Sequence, residues 1–236
     1  MREEKRAAPS PPDAVLIVMA KAPRPGEVKT RLVPPLTPEA AASLHRCCLQ
    51  DTLEKASRLP GVSWALAYTP AGARIAFRDL RSGDSLGFPQ KGRDLGERML
   101  QCFLRGFAEG FAFVGLYGTD VPHARSGEIL RGFDLLRRGS ADLVLGPAED
   151  GGYYFIAARA AHPGLFRGVR WGAPEVLQAT LARAAALGLR TAEVARERDL
   201  DTPEDLKALG AFLSRAPASV APRTRRFLFE DLKGFF

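Results

Sequence analysis

An uninterrupted apolar run in the middle of the chain ends abruptly at an acidic residue. Phe111–Tyr117 is apolar throughout, and the sequence Gly-Thr-Asp-Val-Pro (118–122) follows it directly. Such a run predicts a buried strand, and the Gly and Pro end the strand at this point. A carboxylate at the carboxyl end of a buried strand lies where open α/β sheets bind their ligands. Asp120 is therefore the first candidate for a functional residue.

Apolar runs and helical patterns alternate along the rest of the chain. Val15–Met19 and Val62–Tyr68 predict strands, and the spacing of large apolar side chains from Leu95 to Phe107 predicts a helix. This alternation predicts an α/β fold with a mostly parallel sheet and helices on both faces. The strands on either side of Asp150 are close in sequence, so one of them can be antiparallel. Further expected elements are helices at 37–58, 73–80, 126–137, 174–187 and 203–213, strands at 142–145, 153–158 and 191–194, and a loop at 83–93.

The ends of the chain differ in composition from its middle. Residues 1–12 are polar and rich in Pro and are expected to be disordered. A single domain is expected over 13–214, and 215–236 form a basic and aromatic extension. No apolar signal sequence opens the chain and no run is long enough to cross a membrane, which favours a cytoplasmic protein. The cysteines at 47, 48 and 102 lack metal-ligand spacing and fit a reducing compartment.

The positive charge does not indicate a nucleic-acid partner. Much of the net charge of +7 belongs to the two termini, and no zinc-finger, helix-turn-helix or RNA-binding signature is present. The extension combines Arg225 and Arg226 with several phenylalanines, a cluster that is prone to association when it is exposed. We expect it to pack against its own domain or against a second subunit, which leaves a homo-oligomer open.

A basic loop follows the first predicted strand. Lys21, Arg24, Lys29 and Arg31 provide four cations within a short stretch, and Gly26 allows a close approach of the backbone. Such a loop suits the phosphates of a nucleotide, because Lys supplies point charges and Arg supplies forked donors. The Gly-Lys-Ser/Thr signature of a Walker loop is absent. A solvated surface loop is the alternative.

Two further acidic motifs follow Asp120 along the chain. Asp150–Tyr154 (Asp-Gly-Gly-Tyr-Tyr) offers backbone amides and aromatic rings to a substrate, although it also suits a tight turn. Asp199–Pro203 (Asp-Leu-Asp-Thr-Pro) places two carboxylates before a predicted helix. Several aspartates at strand ends suit the binding of a hard divalent cation against a phosphate. Asp94 and Arg98 share a helix face, where an ion pair is the alternative to a ligand contact.

Motifs along residues 14–213 together resemble a known family, the bacterial GT-A-like glycosyltransferases of unknown specificity. The resemblance is carried by Ala20–Leu32, Gln90–Met99, Gly118–Pro122, Leu145–Tyr154 and Asp201–Leu206. More distantly, Lys29–Leu32 (Lys-Thr-Arg-Leu), Asp120 and Asp201–Pro203 are similar to elements of the guanylyltransferases that act on molybdopterin or phospholactate. The Gly-rich Arg-Met-Gly start of those guanylyltransferases is absent, and Thr119 replaces the more usual Ser.

The resemblance implies a fold, a donor and a metal. The fold is the Rossmann-like GT-A fold of nucleotide-diphospho-sugar transferases, the donor is a nucleotide or nucleotide-sugar, and the metal is Mg²⁺ or Mn²⁺. Asp120 and Asp201 are the implied metal ligands, with Asp199 as a third candidate. The catalytic candidates are Asp120, Asp150, Lys29 and Arg31, and the donor-binding candidates are Lys21, Gly26, Lys29, Arg31, Asp94, Arg98, Gly151, Gly152 and Tyr153.

Three functions are compatible with these motifs. The family resemblance favours glycosyl transfer. The Lys-Thr-Arg-Leu element is also compatible with nucleotidyl transfer to a phosphorylated small molecule, which is the alternative. A non-catalytic nucleotide-binding protein is the third, and the presence of all three acidic motifs argues against it. The acceptor, the base and the sugar are not specified by the sequence.

Overall fold

The α/β fold is built on a single β-sheet. The computed structural model describes residues 12–80 and 87–232, in which seven strands pair in the order β3-β2-β1-β4-β6-β5-β7. β6 is antiparallel to its neighbours β4 and β5, and every other adjacent pair is parallel. The strands are β1 (Ala14–Lys21), β2 (Val62–Thr69), β3 (Gly87–Pro89), β4 (Phe113–Tyr117), β5 (Leu143–Pro147), β6 (Tyr153–Ala158) and β7 (Thr191–Glu193).

Three of the α-helices, the first, second and fifth, begin where a side chain accepts a hydrogen bond from one of the first free backbone amides. Thr37 accepts from the Ala40 amide at the start of the first helix (3.1 Å), and Asp94 accepts from the Glu97 amide at the start of the second (2.8 Å). The helices are α1 (Pro38–Ser57), α2 (Leu95–Ala108), α3 (Ser126–Arg137), α4 (Val176–Ala186), α5 (Pro203–Arg215) and α6 (Pro222–Arg226), and a π-helical turn (Phe227–Asp231) continues α6.

Both faces of the sheet are buried, which explains why its central strands are apolar throughout. Along β1, Leu16 and Val18 pack into the core on one face, while Val15 and Ile17 pack into the core on the other. An alternating polar pattern would leave polar side chains in one of these two cores. The continuous apolar run was therefore the correct signal for a central strand.

A third apolar cluster lies beside the sheet and includes the C-terminal extension. Leu44 and Cys48 of α1 pack there with Leu206 of α5 and with Leu228 from the π-helical turn. The Asp51 carboxylate, which is 4% exposed, accepts hydrogen bonds from the backbone amides that begin α6. The extension, as far as Leu232, thus packs against its own domain. The proposed boundary between 214 and 215 stays a prediction.

Most predicted elements are confirmed, and three details are corrected. The loop expected at 83–93 contains the strand β3, and residues 81–86 lie outside the described residues. The loop after β1 contains a 3₁₀ turn at Thr30–Leu32, and the extension forms a helix that was not predicted. β6 is the antiparallel strand expected beside Asp150. The disorder expected at 1–12 and the last phenylalanines, 235 and 236, fall outside the described residues, apart from Pro12.

Candidate functional site

A cavity of about 500 Å³ opens where the strand order changes direction. The chain runs outward from β1 through β2 to β3, and then returns to place β4 on the other side of β1. The loops that leave β1 and β4 therefore diverge and leave a crevice between them, as α/β folds do at such a point. Lys21 at the end of β1 and Asp120 after β4 both line this cavity. The cavity thus lies at the switch point of the sheet, beside the strand end that carries Asp120.

Lys29 connects two of the predicted metal ligands. Its ammonium group donates to a carboxylate oxygen of Asp120, to the carbonyl of Leu200 and, at 3.2 Å, to Oδ1 of Asp201. The Lys29 side chain is 3% exposed, whereas those of Asp120 and Asp201 are 44% and 36% exposed. These three side chains are far apart in the sequence and meet at one point of the cavity.

The charges of this cluster stabilise one another. Burial alone would lower the pKa of Lys29, but the carboxylates of Asp120 and Asp201 outweigh it and raise that pKa above its ordinary value. Burial opposes the ionisation of Asp120, yet the Lys29 ammonium holds the pKa of Asp120 below its ordinary value. Lys29 and Asp120 are therefore both charged at neutral pH.

Backbone contacts fix the segment that carries Asp199 and Asp201. The Leu200 amide donates to the carbonyl of Asp120 (2.9 Å), and the Leu200 side chain is buried in the third apolar cluster. Asp205 in α5 accepts from the amides of Asp201 (3.2 Å) and Thr202 (2.8 Å). Since Thr202 also caps α5, the start of this helix positions the second acidic motif.

The carboxyl group of Asp199 is buried beside other acids. Its Oδ2 atom is buried and has no hydrogen-bond partner among the residues that the structure describes. Burial, and then the charges of Asp150 and Asp120, raise the pKa of Asp199 to about 8. A buried acidic oxygen without a partner is costly, so its presence beside other carboxylates points to a site suited to a positive charge.

Asp150 and its two glycines form a tight turn at the rim of the cavity. The Gly152 amide donates to Oδ1 of Asp150 (2.8 Å), which is the turn geometry that the sequence offered as the alternative. Gly151 has a φ of +89°, and a Cβ at this position would clash with the carbonyl of Pro174. Asp150 and Gly152 line the cavity, whereas Gly151 maintains the shape of the turn.

The cations of the loop after β1 differ in whether they line the cavity. Lys21 lines the cavity and donates to the carbonyl of Glu27 (2.5 Å). Arg31 lies outside the lining residues, with its side chain 68% exposed and Nη1 3.6 Å from Oδ2 of Asp201. Gly26 provides a turn at φ +75°, and Lys29 itself is in the left-handed region at φ +48°.

An aromatic and apolar wall forms the other end of the cavity. Trp171, Leu95 and Met99 line it together with Arg98, whose Nε donates to the carbonyl of Gly92 (3.2 Å). The indole lies so close to α2 that a Cβ on Gly96 would approach it to 2.5 Å. Trp171 therefore both packs against α2 and lines the cavity.

Neither tyrosine of the Gly-Gly-Tyr-Tyr motif directs its hydroxyl to open space. Tyr153 lines the cavity, but its hydroxyl donates to the sulfur of Met99 (4.0 Å). Tyr154 donates to the carbonyl of Ala195 (2.9 Å) and packs edge-on against Tyr117. Their rings, rather than their hydroxyls, are available to a substrate.

The ion pair between Asp94 and Arg98, which the sequence left as the alternative to a ligand contact, is not formed in the described part of the chain. Asp94 caps α2 and does not line the cavity, and Arg98 donates to a backbone carbonyl instead. The predicted residues that the structure brings to the cavity are Lys21, Lys29, Arg98, Asp120, Asp150, Gly152, Tyr153, Asp199 and Asp201, and those outside its lining are Gly26, Arg31, Asp94 and Gly151.

His45 lines the cavity although it was not predicted to belong to the site. It lies on α1, is 4% exposed, and its Nε2 donates to the carbonyl of Lys21 (2.9 Å). Burial lowers the pKa of His45, against the opposing effect of Asp120. Its Nδ1 therefore presents a lone pair, which has no partner. A lone His on an apolar helical stripe gives no sequence signal that separates it from a core residue.

Gln90 is a second lining residue that was not singled out. Its Nε2 donates to the carbonyls of Ala67 (2.8 Å) and Ala20 (3.4 Å), so the side chain joins the ends of β2 and β1. Because both backbone carbonyls accept hydrogen bonds, the side-chain nitrogen of Gln90 must face them. The amide oxygen of Gln90 therefore points away from the two strands.

The chemistry of the lining residues suits a divalent cation, although the side chains do not surround one. Within residues 12–80 and 87–232, no three His, Cys, Asp or Glu side chains converge as metal ligands do. Asp120, Asp199 and Asp201 nevertheless offer the carboxylate oxygens that Mg²⁺ and Mn²⁺ prefer, and Asp199 has an unpartnered oxygen. The donor set fits the metal that the resemblance implies, provided that Lys29 leaves the two carboxylates that it bridges.

Comparison with solved structures agrees with this fold. A protein from Desulfovibrio desulfuricans G20, described as a "putative nucleotide-diphospho-sugar transferase", is 30% identical, with a TM-score of 0.86 over 93% of this chain and 95% of its own. A CMP:2-keto-3-deoxy-manno-octonic acid synthetase complexed with CTP has a TM-score of 0.56 at 14% identity, over 86% of this chain and 98% of its own. Molybdopterin-guanine dinucleotide biosynthesis protein A from Archaeoglobus fulgidus has a TM-score of 0.54 at 12% identity, over 86% of this chain and 100% of its own.

The fold and the first of these relatives define the class: the chain is a transferase with the nucleotide-diphospho-sugar transferase fold. Residues 52–173 match the DUF2064 model, described as "Uncharacterized protein conserved in bacteria". The chain belongs to the DUF2064 family. No curated protein has significant sequence similarity to it. In the part of the chain that the structure describes, no helix combines the length and the apolar character needed to cross a bilayer.

Proposed function

We propose that this protein is a metal-dependent transferase that uses a nucleotide or nucleotide-sugar donor, and that it transfers the sugar. One observation carries the proposal: cations and carboxylates from five separate segments line a single cavity at the switch point of the sheet. A phosphorylated donor bound to a divalent cation matches this mixture of charges. The relationship to a nucleotide-diphospho-sugar transferase supports the choice of sugar transfer.

Each group of residues has a distinct task in this proposal. Asp120 and Asp201 would hold the cation, with Asp199 as the third carboxylate, and the bound cation would neutralise the charge of the leaving phosphate. Lys29 and Lys21 would bind the donor phosphates, since both line the same cavity. The wall formed by Trp171 and Tyr153 would exclude water and receive the flat face of a sugar or acceptor.

Nucleotidyl transfer remains a second candidate because of the loop after β1. Lys21 and Lys29 both line the cavity from this loop, an arrangement that also suits a triphosphate. In sugar transfer the acceptor attacks the anomeric carbon and a nucleoside diphosphate leaves. In nucleotidyl transfer a phosphorylated acceptor attacks the α-phosphate and pyrophosphate leaves. The leaving group released in a turnover assay therefore separates the two reactions.

The first test is a thermal-shift screen of nucleotides and nucleotide-sugars, with and without Mn²⁺. A ligand at a hundredfold excess over its Kd stabilises the folded state by roughly 2.7 kcal/mol. We expect stabilisation by at least one nucleotide and an increase of that effect with Mn²⁺. A flat response across all bases and sugars, with a folded protein, would contradict the proposal.

The carboxylates provide the mutational test. Asp120→Asn and Asp201→Asn should abolish Mn²⁺-dependent nucleotide binding while the secondary structure is retained, because each change removes one charged metal ligand. Glu149→Gln is a matched control, since this acid lies next to Asp150 in sequence but does not line the cavity. Calorimetric titration of each variant measures its affinity for the nucleotide in the presence of Mn²⁺. Wild-type affinity in both Asp variants would show that these residues do not hold the metal.

A further inference from the structure

The ammonium group of Lys29 has surroundings that resemble those of a bound cation. Three oxygens contact it: one from each of Asp120 and Asp201, and the carbonyl of Leu200. The side chain is almost completely buried, so these oxygens replace water around the charge. A positive charge at this point is therefore part of the folded structure.

One position between two carboxylates cannot hold two cations. Mg²⁺ binds carboxylate oxygens at 2.0–2.1 Å, well inside the 3.2 Å that separates the Lys29 nitrogen from Oδ1 of Asp201. A metal that bridged Asp120 and Asp201 would therefore overlap with the Lys29 ammonium and repel it. Either the metal or the ammonium can occupy this point, but not both.

The backbone at Lys29 is compatible with a second position of its side chain. Lys29 is a non-glycine residue in the left-handed region, at φ 48° and ψ 35°, directly before the 3₁₀ turn at Thr30–Leu32. Such a conformation has an energetic cost and persists only where surrounding contacts hold it. Here the contacts of the ammonium with Asp120 and Asp201 hold the residue in place, and their loss would free its flexible four-carbon stem.

We infer that Lys29 acts as a built-in counter-cation, which holds Asp120 and Asp201 in position until a divalent cation binds them and then moves to the donor phosphates. This inference rests on the proposed function, because it assumes that these two carboxylates hold a metal. It explains why a residue expected at the phosphates is bound to the acids instead. It also implies that the donor-free protein binds metal weakly, since the metal must displace Lys29.

The test measures the affinity of the full-length, donor-free protein for Mn²⁺. The electron paramagnetic resonance signal of free Mn²⁺ reports how much of the ion is bound. Lys29→Met should bind Mn²⁺ at least about tenfold more tightly than the wild type, within the usual range of coupling between two sites. The gain should disappear in the double variant Lys29→Met/Asp201→Asn. Thermal melting checks that each variant is folded, and Lys29→Gln serves as a second variant should the methionine disturb folding.

Two controls separate displacement from a general change of charge. Lys55→Met removes another largely buried ammonium, which donates to the carbonyl of Pro122 (2.8 Å) and contacts neither acid. Arg31→Met removes an exposed charge near Asp201 without vacating the bridging position. Both should change Mn²⁺ affinity by less than about threefold, because exposed or distant charges are screened.

Three outcomes are distinguishable. Tighter Mn²⁺ binding in Lys29→Met alone supports the inference. Equal affinity in Lys29→Met and the wild type, or an equal gain in Arg31→Met, would overturn it even if the wild type binds Mn²⁺-nucleotide. If the wild type binds no nucleotide with Mn²⁺ while Lys29→Met still gains Mn²⁺ affinity, the proposed function fails and the displacement of Lys29 stands.

Discussion

At the scale of single residues, Lys55 connects the charge of one buried group to the stability of the fold. Its ammonium lies near the ring of Tyr117 and donates to the carbonyl of Pro122. Burial lowers the pKa of Lys55 to about 8, although Glu197 and Asp51 act in the opposite direction. The folded protein therefore releases this proton at a lower pH than the unfolded chain does.

The sign of the pH dependence follows from that difference. Between about pH 8 and 10.5 the unfolded chain binds more protons at Lys55, so this residue makes the free energy of unfolding rise with pH. Below pH 8 both states are protonated and the contribution is constant. Lys55→Met should remove the rise, which amounts to roughly 3 kcal/mol at 1.36 kcal/mol per pKa unit. Urea denaturation of both proteins from pH 7 to 10.5 measures the difference, and parallel curves would contradict the prediction.

Of the residues that line the cavity, the acids were easier to single out from the sequence than the others. Asp120 and Asp201 could be predicted because each follows or precedes an element with a clear pattern. The partnership of Lys29 with both could not, because 91 and 172 positions separate it from them. His45 was missed because it shares a helix with the apolar residues of α1, and only the tertiary structure shows that its edge faces the cavity.

At the scale of elements, the turn between β5 and β6 depends on one glycine. Gly151 combines a positive φ with close contact to the backbone of Pro174, so any side chain there must displace the segment before α4. Gly151→Ala should lower the free energy of unfolding by clearly more than the 1–2 kcal/mol or so that the left-handed conformation alone costs.

Gly110 is the matched control for this substitution. Its φ is +92°, almost the same as that of Gly151, but a Cβ there would meet no atom within 4 Å. Gly110→Ala should therefore show the conformational cost without the clash. Chemical denaturation of both variants gives the difference. Equal losses of stability would mean that the turn can shift away from Pro174 without cost.

Elements were predicted well where their apolar pattern was long, and less well where it was short. α1 and α2 were located almost to the residue because each has a capping side chain and a repeated apolar stripe. β3 was taken for part of a loop, because it is only three residues long and ends in Pro. A strand of that size is defined by its neighbour β2 rather than by its own residues.

At the scale of the whole molecule, the extension contributes to a core rather than to a free surface. Leu228 is fully buried in the third apolar cluster, and Thr224 donates its amide to the buried Asp51 (2.8 Å). Leu228→Ala should therefore lower the free energy of unfolding by about 2–5 kcal/mol. Leu104→Ala is the control, because Leu104 is 42% exposed, and it should cost much less. Thermal or chemical denaturation compares the two, and a neutral Leu228→Ala would contradict the packing.

The packing of the extension illustrates what sequence patterns omit. Its phenylalanines and arginines indicated that it would pack, but left open whether against its own domain or a second subunit. The groove between α1 and α5 that receives it exists only after those helices have met. An expectation about tertiary docking therefore needs the surface of the folded partner, which no local pattern contains.

The contact between Lys29 and Asp201 also has a consequence for folding during synthesis, because it joins an early and a late part of the chain. Proteins fold largely from the N-terminus as the ribosome extends them. β1 and the loop carrying Lys29 emerge early, while Asp201 emerges 172 residues later, near the end of translation. An incomplete chain that ends before Asp201 therefore leaves the Lys29 ammonium with Asp120 as its partner but without the second carboxylate. The contacts that hold Lys29 are therefore complete only when the last acidic motif has been synthesised and has joined the sheet.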